Sequence, residues 1–227
     1  PAVLVLAGQG LQSAASFLTG ILIARFASVS ALGDYALGLT VLFLTASMAE
    51  TLVATPFTYH VLRRRFISNQ SMAFGAGLLA TVVLSAVAGS LFGLLALLVP
   101  SFAPLFPALP AAIAMTQARE LIRRRHYAHG EPGRALLSDV IAIGLQFAII
   151  AGLIRFGRFD APGVFAASAV ACLVASAVGL VDLRGHVRLR VSLLVPYCRR
   201  FLGYGHWLAL GGACQILAIQ SFSWFLA

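Results

Sequence analysis

Uninterrupted apolar stretches recur along the chain at residues 3–25, 35–60, 72–99, 104–122, 136–155 and 161–182, and a seventh begins near residue 203. Each is close to or beyond the roughly 20 residues a helix needs to cross a hydrocarbon layer about 30 Å thick. Backbone in that layer must satisfy its own hydrogen bonds, so segments of this kind cross it as helices. Composition agrees: 60% of residues are hydrophobic and 10% charged, where a soluble domain is about 45–50% apolar and about 25% charged. The mean hydropathy is +0.95. The sequence predicts an all-α, polytopic membrane protein, with a six-helix transmembrane lobe at 1–183, a basic amphipathic linker at 184–200 and the truncated start of a second lobe at 201–227. Pro1 in place of a methionine, and an end at Ala227 inside an apolar run, read as part of a longer protein.

All sixteen basic residues are arginine. Without lysine, a Walker-type phosphate loop and a Schiff-base cofactor both lack their amine, so no ATP hydrolysis and no cofactor is expected. The formal charge of +9 would suggest nucleic acid in a soluble protein, but here the arginines sit in short loops between apolar runs. Arg63, Arg64 and Arg65 follow span two; Arg119, Arg123, Arg124, Arg125 and Arg134 surround the loop after span four; Arg184, Arg188, Arg190, Arg199 and Arg200 follow span six. Only Arg25, Arg155 and Arg158 fall on the other side, so the positive-inside rule places the N-terminus and the three basic loops in the cytoplasm. Cys172, Cys198 and Cys214 are far apart and have no histidine at ligand spacing, so neither a disulfide framework nor a metal site is expected.

A charged residue inside a span normally faces a partner or a wet cavity. Glu50 lies near the middle of span two, beside a stripe of Ser47, Thr51, Thr55 and Thr58 at helical spacing. It reads either as a proton, cation or headgroup site on an aqueous path or as a helix-packing residue; the stripe favours the first. Pro56 removes a backbone donor and marks a hinge. Asp139 in span five reads as an interfacial ion pair with Arg134. Span one carries Gln9, Ser13, Ser16 and Gly20 on one face with Gln12 and Thr19 beside it, a face expected to point inward. Gly89 and Gly93 form a GxxxG packing element, and the five histidines fall near predicted cytoplasmic boundaries. An even number of spans before a seventh of unchanged orientation fits a parallel repeat; an offset of 203 aligns Gly8 with Gly211 and Gln12 with Gln215.

The stretch ILIARFASVSALGDYALGLTVL, with Ala24, Arg25, Gly33, Tyr35, Ala36 and Leu37, and the stretch RELIRRRHYAHGEPGRALLSDVI resemble the polysaccharide and O-antigen flippases of the multidrug/oligosaccharidyl-lipid/polysaccharide exporter superfamily. The resemblance implies the N-terminal lobe of an alternating-access transporter, not an enzyme, that moves lipid-linked oligosaccharide across the bacterial cytoplasmic membrane. It implies membrane lipids, a polysaccharide polymerase and glycosyltransferases as further partners. It makes Arg25 a candidate for a cationic cavity wall, alongside Gln9, Gln12, Ser16, Glu50 and Thr51 as cavity residues, with Glu50 as the ion-coupling group. A cation-coupled antiporter of the same superfamily and an integral-membrane glycan transferase are the alternatives; several carboxylates in one cavity would favour the antiporter.

Overall fold

The computed structural model describes residues 2–58, 67–183, 210–212 and 214. The linker at 184–200, Arg63 to Arg65 and nearly all of the seventh span lie outside the described residues. Within them the chain is an all-α, multi-pass membrane protein built on six long helices: α1 (Ala2–Phe26), α2 (Val29–Ala49), α3 (Ile67–Leu98), α4 (Ala108–Ala128), α5 (Pro132–Arg155) and α6 (Ala161–Asp182). Five of them are long and apolar enough to cross a membrane, α2 together with its continuation to Thr58. The exception is α4, whose second half carries Arg119, Glu120, Arg123, Arg124 and Arg125. The expected fourth span also shifts along the chain: Pro100–Leu105 forms a 3₁₀ turn and the helix begins only at Ala108. Pro104 and Pro107 lack the N–H groups that a continuous helix would use there.

The ends of the helices follow from local chemistry. Ser28 Oγ accepts the Ala31 N–H at 3.2 Å and starts α2, and Asp160 Oδ1 accepts the Gly163 N–H at 2.8 Å and starts α6. Gly130 (φ 75°) and Gly157 (φ 64°) end α4 and α5 in the left-handed region. At the first, Glu131 N–H returns to His126 C=O and Gly130 N–H to Tyr127 C=O; at the second, Arg158 returns to Leu153 and Gly157 to Ile154. Both are Schellman closures. Each turn reverses the chain within a few residues and sets α4, α5 and α6 side by side.

The charged helix occupies the middle of the bundle, packed against α3, α5 and α6 and touching α2. Its first half enters an apolar cluster, where Leu109 and Ile113, with Leu105 of the preceding turn, join Tyr35, Phe92, Ile150 and Phe165. Leu121 and Ile122, further along, join a second cluster with Phe57, Phe74 and Leu183. Buried alanines on α6, among them Ala167, Ala171 and Ala175, let it lie close to α4. Gly89 and Gly93 face Pro110 and Phe106, so the GxxxG packs α3 onto the start of α4. Between the two apolar clusters along α4 lies a polar layer. Large apolar side chains such as Val3, Phe17, Val83 and Leu97 are exposed around the outside, as lipid-facing positions require.

Candidate functional site

The polar layer is organised by α4. Gln117 donates from Nε2 to Thr45 C=O at 3.3 Å and accepts from Ser85 Oγ at 2.9 Å, which ties α2, α3 and α4 together. One turn on, a row of ion pairs crosses the bundle. Asp139 of α5, fully buried, is 3.1 Å from Arg119 Nη1 and 3.5 Å from Arg123 Nη1. Arg123 also pairs with Glu120 at 2.7 Å. Glu120 reaches Arg124 Nε at 3.1 Å, and Arg124 Nη2 closes on Glu50 of α2 at 2.6 Å. Three guanidinium groups and three carboxylates thus alternate from α5 through α4 to α2. With each charge facing its opposite, burial is compensated.

Asp139 therefore has a different partner from the one the sequence suggests. Arg134 pairs with Glu131 in the turn at 3.4 Å, whereas Asp139 meets two arginines of the neighbouring helix. Residues five apart on a helix stand about 140° apart around its axis, so Arg134 and Asp139 face different ways. Asp139 also receives Gln12 Nε2 from α1 at 3.1 Å. The room for this is made at Gly8, where a Cβ would lie 3.0 Å from Asp139 Oδ2 and 3.6 Å from the Tyr127 hydroxyl.

Beside this row lies a cavity of about 680 Å³ between α1, α2, α3 and α4, lined by Gln12, Ser47, Glu50, Thr81, Glu120 and Arg124 among others. Glu50 and Arg124 are each about one-third exposed, so the pair at the wall is in reach of a solute. Glu50 opens a π turn, Glu50–Ala54, in which Thr55 N–H returns to Glu50 C=O. Pro56 follows this widened turn, which absorbs the donor missing from the proline. Thr55 Oγ1 lies 3.4 Å from Glu50 Oε1.

The other predicted site residues are spread more widely. Gln12 lines the large cavity and a second, smaller one; Ser16 lines the smaller. Thr51 turns its hydroxyl back to Ser47 and Met48 C=O. Gln9 is exposed and lines neither cavity. Arg25 is exposed at the end of α1, 5.7 Å from its own neighbour's ring, Phe26; no ion pair with Asp34 occurs among the described residues. The sequence expectation put the polar wall on the first two helices, yet its charges come mainly from α4. Arg119 and Arg124 read in sequence as loop-flanking charges; the signal missed was that they stand, with Glu120, inside the helix, before the turn at Gly130. His126, expected at an interface, is buried, and its Nδ1 lies 3.2 Å from Glu131 Oε2. No group of three or more metal-ligating side chains occurs among the described residues. No protein-family model, curated protein or solved structure matches the chain.

Proposed function

We propose that the chain is part of a membrane transporter that moves lipid-linked oligosaccharide or polysaccharide precursors across the bacterial cytoplasmic membrane by alternating access, with its N-terminus in the cytoplasm. The observation that carries this reading is the cavity of about 680 Å³ walled by Glu50, Arg124 and Glu120 inside a bundle of membrane-crossing helices. Packing alone does not call for a solute-accessible ion pair there. Guanidinium groups offer fixed charge and paired donors to an anionic headgroup, and Arg124 takes the part the sequence reading gave to Arg25. With no lysine for an ATP site, net movement draws on a substrate or ion gradient; each charge moved through the membrane potential is worth about 2.3 kcal/mol per 100 mV. Glu50, one-third exposed and held by Arg124, is the coupling group.

A cation-coupled antiporter is the second reading, favoured by Glu120, which adds another carboxylate to the wall. Reconstitution separates the two. In vesicles, flipping of a fluorescent lipid-diphosphate sugar by the full-length protein is expected, and Glu50→Gln should leave insertion intact and slow it. Cation-driven efflux of a soluble dye with no lipid flipping would favour the antiporter. Thiol labelling decides between either transporter and a packed bundle. Cysteines at Ser47 and Ser16 should react with a water-soluble reagent, whereas labelling only by a lipid-soluble one would remove the transporter reading.

A further inference from the structure

A second cavity, of about 190 Å³, lies between α1, α2, α4, α5 and α6 and shares Gln12, Thr116 and Arg119 with the wall of the larger one. It is too small for a glycan or a lipid headgroup. Its polar wall is rich in hydrogen-bond donors. Tyr35, Thr116 and Ser168 supply hydroxyls, Gln146 an amide and Cys172 a thiol, all able to donate. Its single charged residue is Arg119, and no carboxylate lines it.

Arg119 is about nine-tenths buried. Its Nη1 is committed to Asp139, while its buried Nε has no hydrogen-bond partner. A guanidinium carries five donors in a planar fork, so holding Asp139 through one nitrogen leaves the others available to a second acceptor. Asp139 is shared between Arg119 and Arg123. The remaining carboxylates, Glu120 and Glu50, stand along the wall of the larger cavity. The ion-pair row is neutral as a whole, and Arg119 is the member of it that lines the recess.

We propose that this recess is a binding site for a small monovalent inorganic anion of halide size, held by Arg119 and by the hydroxyl and amide donors around it. A guanidinium set among hydroxyl and amide donors, with no carboxylate in the lining, favours an anion as no apolar solute would. Water fits as well, since the recess has room for several molecules, so water alone is the outcome the test must separate. A divalent anion is disfavoured, since desolvation rises steeply with charge and only one cation faces it.

Radiochloride binding to the purified full-length protein in nanodiscs tests this. Saturable binding is expected, displaced by bromide and not by sulfate. Arg119→Gln should weaken it by about tenfold to a hundredfold, the range of a hydrogen bond to a charged group. Ser168→Phe, which fills the recess and leaves Arg119 in place, should abolish it, and this variant decides should Arg119→Gln fail to fold. Absence of saturable binding in the unmodified protein, or full binding by a folded Ser168→Phe variant, overturns the proposal.

Discussion

At Asp139, one carboxylate holds three helices: α5, which carries it, α4 through Arg119 and Arg123, and α1 through Gln12. Truncating one partner of a buried ion pair leaves an uncompensated charge, a loss of about 3–5 kcal/mol. Asp139→Ala should therefore lower thermal stability in detergent by a loss of that size. A double change, Asp139→Leu with Arg119→Leu, should recover much of it, because Arg123 keeps Glu120 at 2.7 Å. A double variant no more stable than Asp139→Ala alone would argue against a compensated network. Sequence could flag Asp139 as an acid within a span but not assign its partners, because these lie 16 and 20 residues away on another helix.

The elements divide into those fixed locally and those fixed by packing. The turn between α4 and α5 is of the first kind: Gly130 supplies the left-handed residue, and Glu131 closes the turn with both its backbone and its carboxylate. The hydrogen bond to His126 holds the Glu131 carboxyl below the usual carboxylate range, helped by the charge of Arg134. A value depressed by folding means that the interaction contributes fully above the ordinary carboxylate range and is lost as pH falls through the lowered value. Hydrogen exchange in residues 126–135, corrected for intrinsic rates, should therefore rise on acidification across that window. Glu131→Gln should flatten the dependence; an unchanged profile in that variant would assign it to another group. The π turn at Glu50 is of the second kind. Pro56 announces an irregularity in the helix, but the π turn lies one turn earlier, where Val53 and Phe57 join the cluster with Phe74.

At the scale of the whole molecule, the apolar runs make the multi-pass helical architecture legible, because lipid imposes the same demand on every crossing segment. The place of α4 is not legible in the same way. A helix bearing Arg119, Glu120, Arg123, Arg124 and Arg125 reads as a margin, yet it lies within the bundle because Asp139 and Glu50 from neighbouring helices receive its charges. The same compensation bears on how the chain enters the bilayer during synthesis. Each arginine near the centre of an isolated segment opposes insertion by about 2.5–3.5 kcal/mol, so α4 should not partition into lipid by itself. Spliced alone into an insertion reporter, residues 104–130 should pass through the translocon into the lumen; joined to α5 with Asp139 intact, they should be retained. The most charged helix would then leave the translocation channel only in company with the helix that follows it, which supplies its counter-ion.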